Sequence, residues 1–336
     1  MPPPPILLTG ATGFLGAHLA RRLVAGGRRV HALARAGSDR GRLADLPLVW
    51  HPGDLRDGAS LERTCSALAG TGFEVIHAAA LISYRRRDRA LQEDCNAGGT
   101  RRLLAACRRH GAGRVVHVSS VVAVGHAPRG GPALDEDWPF NGGELRCDYV
   151  DTKRAAEELA LAAAREPDGL DLSVVNPGAV FGPDSARANT TAFVREVARG
   201  ATGPFAPPGS LAVVGVEDVA AGTVAALERG RRGRRYLLTE SNLSLRELME
   251  LTARLLGRRP VRWTLAPALW RAAVAPLRVW DRLRPLERAT PQALALLGVH
   301  FRFDSSRARR ELDWRPEPFE GVLERTVGWM RAEGLL

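Results

Sequence analysis

The sequence predicts an α/β fold built on a doubly wound parallel sheet, with a smaller, C-terminally weighted second region. Three observations carry this. Short runs rich in Val, Ile and Leu alternate with longer helical patterns through the first half of the 336 residues. The first run passes directly into glycines at positions 10, 13 and 16 and then into a helical pattern. Beyond residue 176 the alternation yields to Pro- and Gly-rich turns, short helices and most of the tryptophans.

In chain order, Ile6–Thr9 is the first strand, and Leu15–Ala25 the helix that its glycines open. Val30–Ala34 and Leu48–His51 are apolar runs too short for helices. Val75–His77 and Val115–Val118 bracket a helix at Ala97–His110, and a helix at Thr152–Arg165 precedes a strand at Leu172–Val175. Strands of this composition, separated by helices, imply both faces covered and right-handed crossovers. Val213–Leu227 and Tyr236–Leu238 look like a return to the main sheet. The expected division is a nucleotide-binding unit over 1–180, rejoined by 212–239, with 181–211 and 240–336 forming the substrate-binding region.

Composition excludes several classes. A 45% hydrophobic and 25% charged chain is that of a soluble globular protein. Cys65, Cys95, Cys107 and Cys147 form no C-x-x-C pair, so neither zinc nor a disulfide framework is expected. The N-terminus lacks a signal-peptide pattern, and a cytoplasmic location is expected. A net charge of +11 suggests nucleic acid, but the arginines are scattered and no basic block is interleaved with aromatics. Nucleic acid is therefore not expected as a partner, nor is stable membrane insertion. Leu269–Leu286 carries Trp270, Trp280 and several arginines at helical spacing, yet Pro276 and Pro285 interrupt it. The stretch could lie on a membrane surface, but packing over a substrate cleft is the expectation there.

The glycines have distinct tasks. Gly10 permits a tight turn, Gly13 lets backbone approach a pyrophosphate, and Gly16 lets helix pack on strand, with the helix N-terminus facing the negative charge. Thr12, Phe14 and Leu15 complete this cofactor-binding turn. The second strand ends at Arg35 rather than at a carboxylate that would bind the ribose 2′-hydroxyl of NAD. Arg35, with Ser38 and Arg40, suits a 2′-phosphate, so NADP is expected and NAD is the alternative.

Of the 48 basic side chains only Lys153 is a lysine. It stands four residues after Tyr149, so on a helix the two share a face. Free tyrosine, with a pKa of about 10, exchanges protons poorly near neutrality, and a neighbouring ammonium is expected to lower that value by about 1–3 units. The strand Val115–Val118 runs into Ser119-Ser120 at the carboxyl edge, where doubly wound sheets bind ligands. Tyr149 as acid/base, Lys153 as its activator and ribose anchor, and a serine hydroxyl on the substrate oxygen make a device for carbonyl chemistry.

Together these pieces resemble the extended short-chain dehydrogenase/reductase family over essentially the whole chain. The resemblance rests on Thr9–Gly16, matching T-G-x-x-G-x-x-G, and on Tyr149-Val150-Asp151-Thr152-Lys153, matching Y-x-x-x-K. It implies that the Asp54-Leu55 pair after Gly53 contacts adenine and that Ala78, Ala79 and Ala80 after His77 line the nicotinamide ribose. It further implies that Pro177, Gly178 and Val180 pass the nicotinamide, that Ser120 is the catalytic serine, and that Asn96 supports a water relay. Asparagine is also a helix cap, so that last role has a structural rival. Family members often dimerise through helices matching Ala97–His110 and Thr152–Arg165, which allows a homodimer.

Departures narrow the reaction. Val121-Val122-Ala123 stand where sugar-nucleotide dehydratases carry an acidic pair, and Ala179 stands where epimerases carry a nucleotide-binding asparagine. The stretches Ser119–Gly125, Asp135–Asp137 and Ala80–Arg87 are closest to dihydroflavonol-reductase-like and hydroxysteroid-dehydrogenase-like members. The expectation is an NADP(H)-dependent oxidoreductase acting on the ketone, aldehyde or alcohol of a fairly apolar small molecule. A sugar-nucleotide epimerase with tightly bound NAD is the alternative, and a non-catalytic NADP(H)-sensing regulator is an alternative of another class.

Overall fold

The computed structural model describes residues 3–186, 188–200, 203–287 and 289–336. In chain order the strands are β1 (Ile6–Thr9), β2 (Val30–Ala34), β3 (Val49–Pro52), β4 (Glu74–His77), β5 (Arg114–Val118), β6 (Asp171–Pro177), β7 (Ala179–Phe181), β8 (Phe205–Ala206), β9 (Ser210–Gly215), β10 (Arg235–Leu238), β11 (Ser241–Ser244) and β12 (Trp263–Thr264). The helices are α1 (Phe14–Ala25), α2 (Gly58–Ser66), α3 (Arg89–Gln92), α4 (Gly99–Arg109), α5 (Asp148–Arg165), α6 (Asn189–Ala198), α7 (Val216–Arg229), α8 (Leu245–Leu255), α9 (Pro267–Leu283), α10 (Pro291–Leu296), α11 (Ser306–Glu311) and α12 (Phe319–Ala332).

Seven strands form one parallel sheet in the order β10-β6-β5-β4-β1-β2-β3. The order reverses between β1 and β4, and that switch point opens a crevice at the carboxyl ends. Registers run Leu33↔Thr9↔His77↔His117↔Val174 across the sheet. One core covers the face carrying Ile6, Leu8, Ile76 and Val116, under α1 and α7. The other covers Leu7, Val75, Val115 and Leu172, under α2, α4 and α5. The sequence lacks polar alternation in these strands because both faces are buried.

The remaining strands depart from the expected plan. Tyr236–Leu238 joins the main sheet beside β6, but Val213 lies in a second sheet of order β11-β9-β7. Phe181, Val194, Val213, Leu248, Phe319 and Val327 give that region its own core. The helix expected from Thr152 begins at Asp148, so Tyr149 sits in its first turn. The helix expected from Ala97 instead passes through a π-helical turn, Glu93–Gly98, before α4. Pro276 does not interrupt α9, which continues through it to Leu283. Pro276 and Ala272 fall on an exposed face, where the carbonyl freed by the missing N–H is open to solvent.

A buried ion pair ties α5 to the sheet edge. The Glu157 side chain, fully buried, accepts from Arg235 at 3.0 Å and from Asn176 at 2.5 Å. Removing one member of such a pair leaves the other charge in a medium that cannot solvate it. Arg235→Ala is expected to lower the unfolding free energy by about 3 kcal/mol, read from urea melts.

Candidate active site

The parallel register brings the carboxyl ends of the strands to one level, so Gly10, Arg35, Gly53, Ala78 and Ser119 all follow strand ends on a single edge. At the switch point the backbone approach is very close. Gly10 has φ +78, and a Cβ there would meet the Ala79 nitrogen at 2.7 Å. A Cβ on Gly16 would lie 1.9 Å from the Gly10 carbonyl oxygen. Gly13 is the exposed N-cap of α1, with no side chain capping the first turn. The helix therefore presents unsatisfied N–H groups over a glycine cradle, the environment a pyrophosphate requires. Thr12 anchors the loop by accepting from Arg42 at 3.1 Å, while Phe14 and Leu15 begin α1 half-buried. Pro177 ends β6, Gly178 follows, and Val180 lies in β7. A Cβ on Gly178 would lie 2.4 Å from the Ala212 carbonyl, so this bend too admits only glycine.

The adenosine side is less uniform. Arg35 is exposed just beyond β2, and its charge helps hold the Asp54 carboxyl below the usual range. The Arg56 guanidinium, bonded to Asp54 at 2.9 Å, does most of that. Leu55 is buried in the core, where a Cβ on Gly99 would meet its side chain at 2.7 Å. Its side chain therefore belongs to packing, leaving only its backbone on the cofactor side.

α5 is rich in alanine, and Asp148 and Asp151 in its first turn complement the helix dipole. Tyr149 and Lys153 both face inward and are buried. The Lys153 ammonium donates to the Val118 carbonyl at 2.9 Å, immediately before Ser119-Ser120. Burial brings its pKa down from 10.5 to about 8, opposed by the Glu157 carboxylate one turn along. The Tyr149 phenol is pushed up to about 12 by burial, with Ser120 in hydrogen-bonding reach and acting the other way. The expected acidification by the ammonium is not found: desolvation of the phenolate raises the pKa, and the opposing pull comes from Ser120. Ser120 is half-exposed and caps the turn Val121–Ala123, accepting from Val122 N at 3.4 Å.

Asn96 does not sit free beside this group. Its side chain accepts from Leu81 N at 2.7 Å, donates to Leu81 O at 3.0 Å and reaches Thr152 at 3.2 Å. It clamps the segment following Ala78, Ala79 and Ala80, and the π-helical turn aims it there. Its side chain is committed to this fastening and caps no helix, so its contacts are those of a third, structural role.

Three further residues, Tyr84, Glu157 and His117, escaped the sequence reading, and His77 makes contacts it did not give. Tyr84 packs edge-on against Tyr149 with centroids 5.7 Å apart, in an apolar cluster with Val121, Val122 and Leu145. Nothing in its local sequence signals this. Glu157 lies four residues beyond Lys153, a spacing that could have been read. His77 bonds Thr9 at 2.7 Å and Thr100 at 3.0 Å, and burial takes its pKa down to about 3. His117 stacks beside it at 5.2 Å, neutral through burial and the Lys153 charge, with neither ring nitrogen partnered among the described residues.

Comparison with known proteins agrees with this geometry. Sterol demethylase protein B of Methylococcus capsulatus is 37% identical over 98% of this chain and 99% of its own. A putative dihydroflavonol 4-reductase of Synechocystis is 32% identical, covering 97% of this chain and 94% of that one. The crystal structure of gox2253 superposes with a TM-score of 0.85 at 30% identity, over 99% of both chains. The profile of the NAD dependent epimerase/dehydratase family matches residues 6–238. With the glycine cradle at a sheet switch point and the tyrosine–lysine pair above it, the chain belongs to the NAD-dependent epimerase/dehydratase family, among its extended short-chain reductase-like members.

Proposed function

We propose that this protein is an NADP(H)-dependent reductase of a ketone or aldehyde on an apolar small molecule. The observation that carries the reading is Tyr149 itself. It is a buried phenol within an apolar cluster, with Ser120 in reach and the sole lysine one turn below.

The residues fit a nicotinamide dinucleotide. The Gly10–Gly16 loop would hold the pyrophosphate, Lys153 and the Ala78–Ala80 backbone the nicotinamide ribose, and Pro177–Val180 the ring. Arg35 at the end of β2, with no carboxylate at that position, supports a 2′-phosphate and hence NADP. Such a cofactor supplies hydride to the substrate carbon when bound. The protein's part is the proton and the charge. With a pKa of about 12, Tyr149 is fully protonated near neutrality and donates to the carbonyl oxygen as negative charge develops there. Ser120 hydrogen-bonds the same oxygen, and the Lys153 ammonium stabilises the phenolate left behind. Val121, Val122, Leu145 and Tyr84 exclude water from the proton's path.

The apolar wall favours a reductase over a nucleotide-sugar enzyme. Val121, Val122 and Ala123 are buried, so no acidic pair reaches the site from this turn. Ala179 offers no amide to a nucleotide. The sterol and flavonol in the relatives' names are apolar ring systems, consistent with such a wall.

Tyr149→Phe is expected to lower kcat by about 10²- to 10⁴-fold while leaving nucleotide binding nearly unchanged, measured by NADPH absorbance and by titration of nucleotide fluorescence. Near-normal turnover would remove the proposed acid. Arg35→Asp should shift the NADPH/NADH ratio of kcat/KM by about tenfold or more toward NADH, and an unmoved ratio would place the 2′-phosphate site elsewhere. The pH profile has a stated sign. Lys153 is cationic below about pH 8 and neutral above it, so kcat/KM for reduction should hold level at neutral pH and fall above about 8. Lys153→Arg, which keeps its charge, should lower the rate yet abolish that alkaline fall.

A further inference from the structure

The three most exposed large apolar side chains among the described residues are Leu283 at 77%, Leu269 at 64% and Val279 at 58%, and all lie on α9. Of the residues in this helix only Val274 and Asp281 are buried. At about 100° per residue, Leu269, Ala272, Pro276, Val279, Trp280 and Leu283 fall on the side opposite that seam. A surface helix ordinarily turns its apolar stripe inward and its polar face to water. Here the outward face is apolar throughout. Phe205 and Trp263, both exposed with ring centroids 5.6 Å apart, form a separate apolar patch.

The charges around this strip have one sign. Arg271, Arg278 and Arg282 run along one flank between the apolar face and the buried seam, and Arg284 follows the last turn. The only acidic residue of α9, Asp281, is buried and accepts from Leu286 N at 2.8 Å. We propose that α9 docks this protein on an anionic lipid bilayer, its apolar strip lying at the headgroup boundary and its arginines on lipid phosphates. Charge complementarity selects this occupant. A second copy would bring its own arginines against these, whereas an anionic bilayer offers apolar depth and negative charge together.

The chain just beyond α9 leads to the candidate active site. Just past α9, Glu287 pairs with Arg85 at 3.0 Å and Arg87 at 2.5 Å, on the segment whose Tyr84 packs against Tyr149. Gln292 on α10 then bonds Asp148, next to Tyr149, at 2.7 Å. If the apolar-substrate reading above holds, on which this consequence rests, the substrate passes from bilayer to cleft without crossing water.

The test is co-sedimentation of the full-length protein with phosphatidylcholine vesicles, with and without about 30 mol% phosphatidylglycerol. Binding is expected to be about tenfold or more tighter with phosphatidylglycerol and to weaken several-fold between about 0.1 and about 0.5 M salt. The pair Trp280→Glu/Leu283→Glu should weaken it about a hundredfold, and Leu269→Ser/Val279→Ser, made separately, guards against misfolding of the first pair. Absence of wild-type binding to either vesicle overturns the proposal, as does binding that both pairs leave intact. So does a dimer in light scattering that these pairs dissociate, since a second copy would then cover the face. NADPH-linked ketone turnover, assayed without vesicles, separates the two readings: turnover without vesicle binding sinks the docking alone, and vesicle binding without turnover sinks the reductase alone.

Discussion

An ammonium taken out of water must be given other partners, and the arrangement at the sheet edge follows from where Lys153 finds them. Its proton donor reaches the Val118 carbonyl, at the last residue of β5, so α5 must cross directly over that strand end. Glu157, one turn along, supplies the opposing charge that limits the fall in the ammonium's pKa. That carboxylate is itself fully buried and survives through Arg235 on β10 and Asn176 on β6. Asn176 also donates to the Ser120 carbonyl at 2.9 Å. Lysine, carboxylate, arginine and asparagine therefore fix helix, strand end and serine as one body. A guanidinium at 153 would need more donors satisfied than one carbonyl can accept, which explains why an arginine-rich chain keeps a lysine here.

The nucleotide side depends on closeness of backbone rather than on charge. Gly10 and Gly16 approach each other and Ala79 so tightly that a single methyl group at either position would force the turn open. The same register that aligns Thr9 with His77 sets this distance. His77 then spans from Thr9 to Thr100, linking the glycine turn to the helix layer through a neutral imidazole. Cofactor cradle and proton-transfer group thus share one scaffold, although no residue of the first contacts the second in sequence.

Much of this was legible because it is local or periodic. The strands that build the main sheet are continuous apolar runs, and the glycine spacing and the i, i+4 tyrosine–lysine pair are patterns of adjacent residues. What was not legible depends on tertiary placement. β9 carries the same apolar signature as a main-sheet strand, and only pairing with β7 and β11 puts it elsewhere. Asn96 reads alike as a relay or a helix cap, and it is neither cap nor free side chain once Leu81 is seen to take both ends of its amide. The path of α9 was not legible because an interior proline usually ends a helix, whereas here Pro276 lies on an exposed face and the helix continues through it. The sign of the Tyr149 shift was misjudged for a related reason. Spacing reveals a neighbouring charge, but burial is invisible in a linear sequence.

That sign bears on which protonation state of the pair the fold presents. Burial moves both ionisable members of the pair toward their neutral forms, raising the phenol to about 12 and lowering the amine to about 8. A phenol that holds its proton at neutral pH is already the acid that reduction needs, whereas oxidation of an alcohol first requires the phenolate that burial opposes. Below about pH 8 Lys153 is still the ammonium, and negative charge developing on the phenolate strengthens that preference. The charged form therefore stands where negative charge must be stabilised. The protonation state set by the fold alone therefore presents Tyr149 as a proton donor, through the same desolvation that reversed the expected shift.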